Sequence, residues 1–441
     1  MLTAALLTLA AAVLASLPWW LPGRVVALRV LVFNRINGDE GIPVPGDLVG
    51  VERFKELYAH PAATGRSRGA ALSDLFWYWL APGPEMHQEH LEAGERYDAV
   101  ARTTRALLAV PRAEAEALAR RHAARALGGV AGRVRLRDLM MPLWAGFAWE
   151  LVFAEPCPPE SRDLVAANAD DVVTALKCCG LRHMDRRDRL TRHLLGRLDR
   201  VRVPLPPGLT PLQQAHYLQG AFFNTAVVQL SEAMAHLLMT LAQHPAAQEE
   251  ARRGDDRHLD RVIAESLRLH PLFGIAHRVT TAPVDLGGGR VLPAGSVLCF
   301  DYPAFHRAGH ADPGRFDPSR FAGPAAKDLN HLPFGVPANR PCPARGLAPV
   351  VMRAVTREVL GRYALATSAG HTRSLPNRGP CLLLPLGAPP PARAALARMR
   401  LRDRWEDVWR SLVQLVLGTY MVWDARRLRL CERHFARAAR P

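Results

Sequence analysis

Cys342 is the residue whose surroundings most suggest a chemical role. It ends the run Pro333-Phe334-Gly335-Val336-Pro337-Ala338-Asn339-Arg340-Pro341-Cys342 and is followed by Pro343. A thiolate binds metals far better than a thiol does, and it is favoured where backbone amides or a helix N-terminus face the sulfur. A helix is expected directly after it, over about 346–363. Arg340, two residues earlier, is of the type that holds a carboxylate with two parallel hydrogen bonds. Glu265 and Arg268 are three residues apart, so on a helix they share a face and can pair. Arg278 leads into a β-branched stretch, and Arg320 lies within Phe316-Asp317-Pro318-Ser319-Arg320-Phe321. The other cysteines, Cys157, Cys178, Cys179, Cys299, Cys381 and Cys431, form no Cys-x-x-Cys pair. That argues against a zinc site of that type and, at this length, against a disulfide framework. They read as ordinary buried thiols in a reducing compartment.

These groups need long, rigid elements to position them. The spacing predicts a helix over 211–244, with Thr210 as N-cap, Pro211 in the first turn, Gln213 closing a capping box and Pro245 as the stop. Such a helix is about 51 Å long, enough to cross a large domain. A second helix is expected from Asp256 to His270, ending at Pro271. Short strands follow at 277–281 and 291–300, with a hairpin at Gly287-Gly288-Gly289. Residues 306–346 read as one long loop, a feature usually tied to function. Upstream, 85–127 and 136–197 read as helical, the latter broken near Pro156–Pro159. Residues 39–85 are mixed, with an aromatic patch at Phe76, Trp77, Tyr78 and Trp79 that suits either core or a membrane-facing surface. Helices first and short strands late indicate a predominantly α, α+β fold.

In order and spacing, the motifs over 211–360 resemble the cytochrome P-450 superfamily. Its marks are a Glu-x-x-Arg helix, a Pro-x-Arg-x segment and a Phe-x-x-Gly-x-Arg-x-Cys-x-Gly loop before a helix. The helical layout is compatible from about residue 80. The resemblance implies a long central helix, small β-sheets and a cysteine-ligand loop, with Cys342 holding the iron of haem b (iron protoporphyrin IX). It implies that Arg278, Arg340, Phe334 and His87 contact the cofactor, the arginines and His87 at the propionates. It also implies that Glu265, Arg268 and Arg320 form a cluster that locks the loop under the haem.

The match has departures. Phe334 stands eight residues before Cys342 rather than seven, Pro337 or Ala338 replaces a glycine, and Ala344 replaces another. The family's (Ala/Gly)-Gly-x-(Asp/Glu)-Thr segment aligns with either Thr225-Ala226-Val227-Val228-Gln229 or Ala221-Phe222-Phe223-Asn224-Thr225. Thr225 and Asn224 are the catalytic candidates, and neither register supplies a carboxylate. The implied activity is oxidation of a hydrophobic small molecule with O2 and electrons from a separate partner, a ferredoxin or a flavoprotein reductase. No Gly-x-Gly-x-x-Gly fingerprint for a flavin or nicotinamide is present. The alternatives are an electron-independent haem-thiolate enzyme (peroxygenase, isomerase or dehydratase) and a non-catalytic membrane-bound scaffold.

The chain has 441 residues, a net charge of +16 and only three lysines, Lys55, Lys177 and Lys327. Arginine-rich composition without a nucleic-acid motif does not indicate nucleic-acid binding. Residues 2–20 carry no charge, end in Trp19-Trp20 and precede Arg24, Arg29 and Arg35. This predicts a membrane anchor over 1–23 with the main body in the cytoplasm. The haem domain is expected over 24–390. A basic helical extension spans 391–441, with 12 Arg against 5 Asp and Glu. Its Trp405, Trp409, Leu412, Val413, Val416, Leu417, Tyr420 and Met421 recur at helical spacing, which suits a membrane-surface helix or one packed on the body.

Overall fold

The computed structural model describes residues 2–38, 41–63, 70–323, 329–372 and 374–438. Helix α1 (Leu2–Asn37) runs on through Arg24, Arg29 and Arg35, well past the expected end of the anchor. Next come α2 (Phe54–Ala59), α3 (Ala71–Leu80), α4 (Glu95–Leu108) and α5 (Arg112–Leu127). The helical stretch expected over 85–127 is therefore a 3₁₀ turn and two helices. Pro111 parts the helices, because proline disfavours helical geometry in the residue before it. Helices α6 (Leu136–Phe153), α7 (Pro159–Leu176) and α8 (Met184–Leu195) follow.

The long helix is α9 (Pro211–Leu218) joined through a π-helical segment, Gln219–Ala226, to α10 (Val227–Gln243). The expected capping box is formed: Thr210 accepts from Gln213 N–H, and the Gln213 side chain accepts from Thr210 N–H. Helix α11 (Pro245–Arg253) starts after the break at His244, and α12 (Asp256–Leu269) is N-capped by Asp255. Helices α13 (Tyr302–Arg307), α14 (Ala348–Leu360), α15 (Arg393–Leu428) and α16 (Leu430–Ala438) complete the set.

Three small sheets are present among the described residues. Strand β1 (Gly41–Val44) pairs parallel with β6 (Val297–Asp301), which pairs antiparallel with β3 (Ile275–Val279). Strand β8 (Pro380–Pro385) lies between β2 (Gly132–Arg135) and β7 (Tyr363–Ala366), antiparallel to both. Strands β4 (Val284–Gly287) and β5 (Arg290–Leu292) form the expected hairpin. The stretch 291–300, read as one strand, is divided between β5 and β6 by Pro293-Ala294-Gly295, where Gly295 has a positive φ.

The main core lies between α4–α7, α9–α12, α14 and strands β7 and β8. It is set by large side chains such as Trp144, Trp149, Phe222 and Phe223. A second core sits under β1, β3 and β6, where Phe54 stacks on Phe305 at 4.1 Å. A third joins α3 and the end of α7 to α15. There the aromatic patch becomes interior: Trp77, Tyr78 and Trp79 are buried beneath α15 and α16. Asp74 of α3 accepts the N–H groups of Cys431 and Glu432 at 2.9 and 3.2 Å and so satisfies the start of α16. The C-terminal extension is thus a structural layer on the body, with α1 lying along α15.

Candidate active site around Cys342

The cysteine loop is held from several sides. Cys342 N–H donates to Phe334 O at 2.9 Å, closing the loop across its inserted residue. Asn339 donates to Tyr58 O at 2.7 Å. Arg340 takes up a left-handed backbone (φ 50°), a region that residues with a side chain seldom occupy. Its guanidinium lies 4.6 Å from the centroid of the Tyr97 ring and donates to Leu91 O at 2.5 Å. Helix α14 begins at Ala348, so Cys342 is not at the helix start as expected. A turn intervenes, and the backbone N–H of Ala344 faces the sulfur instead. Burial pushes the Cys342 thiol above its ordinary value, and that N–H offsets part of the rise. A thiolate at this place needs a cation beside it, as a metal would provide.

Glu265, Arg268 and Arg320 are brought together. Arg268 grips Glu265 through two hydrogen bonds of 2.6 and 2.8 Å, both side chains being fully buried. Its other N–H groups reach the carbonyls of His306, Pro313 and Arg315. Glu265 also accepts Asp317 N–H at 2.9 Å, and Arg320 Nε lies 3.6 Å from its Oε1. The cluster thereby ties α12 to the loop that leads to Cys342.

Above the loop is a cavity with about 1380 Å³ of empty space, partly open to solvent. Cys342, Phe334 and Arg340 line it together with Phe222, Thr225 and His87. Thr225 is thus a lining residue of the π segment. Asn224 is buried and is not among the lining residues, so the segment presents Thr225 without it. A π turn widens the helix locally and is common where a helix borders a functional site.

His87, expected at a propionate, lies against the long helix. Its Nε2 lies 2.6 Å from Thr225 Oγ1, and its Nδ1 accepts Glu89 N–H at 3.3 Å. Accepting at Nδ1 leaves the proton on Nε2, which then donates to the threonine. No cue in the sequence links the two residues, which are 138 positions apart.

Arg278 fits a haem best. It is fully buried in β3, its guanidinium carbon 4.4 Å from the centroid of the Tyr58 ring, and it donates to His277 O at 3.3 Å. Its Nε and Nη2 are buried with no hydrogen-bond partner among the described residues. Two buried guanidinium donors left unmatched call for an anion, and a propionate supplies one.

The cytochrome P450 family model matches residues 217–390. Cytochrome P450 135B1 of Mycobacterium tuberculosis is 35% identical over 172 residues, covering 35% of this chain and 36% of that relative. The cyclooctat-9-en-7-ol 5-monooxygenase of Streptomyces melanosporofaciens is 37% identical over 116 residues, covering 25% of each chain. Among solved structures, a 6-coordinated cytochrome P450 from Thermus thermophilus superposes with a TM-score of 0.60 at 18% identity, over 75% of this chain and 90% of that one. By that match residues 217–390 belong to the cytochrome P450 superfamily. The fold of the superfamily extends over about three quarters of the chain, well beyond the residues that the family model matches. The match to the first curated relatives covers about a third of their length.

The remaining cysteines are set apart from this chemistry. Cys178, Cys381 and Cys431 are buried. Burial pushes the thiols of Cys157, Cys178 and Cys381 up to about 12.

Proposed function

We propose that the protein is a haem-thiolate monooxygenase that oxidises a hydrophobic small molecule with O2 and electrons from a separate partner. The observation that carries this is the meeting, on one cavity, of the half-buried Cys342 with Thr225 and His87, beside the two unmatched N–H groups of Arg278. The residues fit haem b, with Cys342 as iron ligand and Arg278 at a propionate. Bound there, the haem supplies an iron whose thiolate ligand favours O–O cleavage. The rest falls to this chain's residues. Phe222, Leu230, Ala233 and Leu267 make an apolar wall suited to a hydrophobic substrate. Arg340 ties the cysteine loop to the segment that carries His87. Proton supply needs no carboxylate on the long helix. A proton can be taken up at His87 Nδ1 when the 3.3 Å contact from Glu89 N–H opens. The imidazolium so formed hands the Nε2 proton to Thr225 Oγ1, whose own proton is passed into the cavity. The missing acid beside Thr225 favours, as a second reading, an enzyme that takes peroxide in place of O2 and electrons.

We place the protein at a membrane. Helix α1 is long and apolar enough to cross one and is almost entirely exposed. The outer face of α15 adds an exposed stripe of Trp405, Trp409, Leu412, Val416, Tyr420 and Trp423. The other apolar helix of sufficient length, over 211–243, is a core element.

One experiment tests both statements: the carbon monoxide spectrum of dithionite-reduced cell fractions. A red-shifted Soret band in the membrane pellet, released by detergent and lost in Cys342→Ser, is the expected result. A band in the soluble fraction would overturn the membrane placement, and absence of haem would overturn the enzyme.

A further inference from the structure

Three histidines converge away from Cys342. His236 is buried on α10, His270 caps the C-terminus of α12, and His371 lies in the loop between β7 and β8. One ring nitrogen from each lies within 4.8 Å of the other two. His236 Nδ1 and His371 Nε2 are 2.9 Å apart, and the rings of His270 and His371 stack with centroids 3.7 Å apart.

We propose that His236, His270 and His371 form a binding site for a divalent transition ion, with Zn²⁺ as the best-suited occupant. Imidazole nitrogen is a preferred donor for zinc, and a tetrahedral ion with bonds of about 2.0 Å sets ligand nitrogens about 3.4 Å apart. The His236–His371 pair, at 2.9 Å, is about half an ångström inside that spacing, and the His270 nitrogen lies within 4.8 Å of both. Opening the 2.9 Å contact by about half an ångström and turning the His270 ring out of its stack, so that its lone pair points between the other two nitrogens, makes the site.

The surroundings orient the ligands. His371 Nδ1 is 3.3 Å from Gln243 Oε1, and Gln243 Nε2 donates to Ala369 O. A proton on Nδ1 leaves the lone pair on Nε2, the nitrogen that faces His236. Metal-binding imidazoles are commonly fixed in this way by a carbonyl behind the ring. The loop that carries His371 is itself clamped. Gly370 N–H donates to Asp403 of α15 at 2.8 Å, and Asn377 bridges Gly370 O and Asp403 at 3.0 Å each. The ion would join the long helix, the end of α12 and the C-terminal layer. It would do so beside the cavity, since Ala233 and Pro271 both line it.

The test is titration of chelator-treated holoprotein with Zn²⁺, followed by calorimetry and by the melting temperature. The expected result is one equivalent bound with a dissociation constant below about 1 µM and a melting temperature higher by several degrees. His270→Gln and His371→Gln should weaken binding by about 100-fold or more, and Gln243→Leu by about 10- to 100-fold. His183→Gln, at the start of α8, should leave binding unchanged. Zinc-edge X-ray absorption on the wild-type protein reads the ligands without relying on any variant, and three imidazole nitrogens near 2.0 Å are expected. Absence of one-to-one binding, survival of binding in both ligand variants, or a first shell without three imidazoles would overturn the site and leave a hydrogen-bonded stack of rings. None of these readouts depends on the reduced carbon monoxide spectrum, so this site and the haem reading stand or fall separately.

Discussion

The two sides of the cavity are assembled differently. On the cysteine side the chain is irregular from Ala308 to Leu347 apart from one short 3₁₀ turn among the described residues. It is held by directional bonds: two from Arg268 to the carbonyls of Pro313 and Arg315, one from Asp317 to Glu265 and one from Asn339 to Tyr58. On the helix side, the π segment is held mainly by packing. Phe223 lies against Trp149 and Phe153, with ring centroids 5.9 and 6.1 Å away. One polar anchor sits at its start, where Gln219 bonds Asn168, Arg187 O and Thr191. Directional bonds require particular residues at particular places, whereas packing accepts any apolar side chain of the right volume. The cysteine side should therefore fail abruptly on single changes, and the helix side should lose function before it loses structure.

The largest effect is expected at the buried ion pair. Arg268→Met leaves Glu265 charged in the interior and releases three carbonyls at once. Removing one partner of a buried pair costs about 3–5 kcal/mol. Thermal melting and haem content of the purified variant should both drop. The double change Glu265→Leu/Arg268→Met should cost less than the sum of the single changes, because neither charge is then left alone. Equal additive losses would mean that the cluster does not act as a unit.

A smaller effect on the same side follows from pH. His306 Nε2 accepts Leu332 N–H at 3.0 Å, so it must remain neutral, and His331 lies beside it with ring centroids 5.5 Å apart. Burial, helped by the charge of Arg268, pushes His306 down to about 4. Burial and His306 itself push His331 down to about 3. Both are depressed histidines, so below about pH 6.5 the unfolded chain binds protons that the folded chain refuses. Stability is therefore full above that pH and is lost as pH falls toward 4. His306 alone contributes about 2 kcal/mol of loss by pH 4.5. Denaturant midpoints measured from pH 7.5 to 4.5 should show this slope, and His306→Gln should reduce it. A flat profile would remove His306 from the forces that hold the loop.

The same contrast explains which parts were legible in the sequence. The Glu265–Arg268 pair, the Cys342 loop and the Thr210–Gln213 cap could be read because each is local and each demands specific side chains. Where structure depends on distant packing, the reading slipped. Helix α1 runs on to Asn37 because α15 lies against it, and that partner is more than 350 residues away in the chain. The aromatic patch at 76–79 offered two faces, and only the C-terminal layer decided that Trp77 and Tyr78 are interior. The apolar run 291–300 shows no change of character at its turn other than Pro293 and Gly295. The start of α14 was placed two residues early because turn and helix share the same composition. The partner of Thr225 was out of reach, since a histidine in an irregular segment carries no mark of where it folds.

The smallest structural change and the sharpest functional one are expected at that partner. His87→Gln retains a side-chain N–H within reach of Thr225 but cannot take up and pass on a proton. Folding, haem content and the reduced carbon monoxide band should stay as in the wild type, because the helix side is held by its packing. Turnover with O2 and an electron donor should fall by about 100-fold, the scale of a lost acid–base group. Its dependence on pH near neutrality should flatten. Turnover driven by peroxide brings its own protons and should fall much less. If both activities fall together, His87 acts by positioning Thr225 or the substrate. If the wild type turns over with peroxide but not with O2 and an electron donor, the electron-independent reading prevails, and the helix side of the cavity has no proton to deliver.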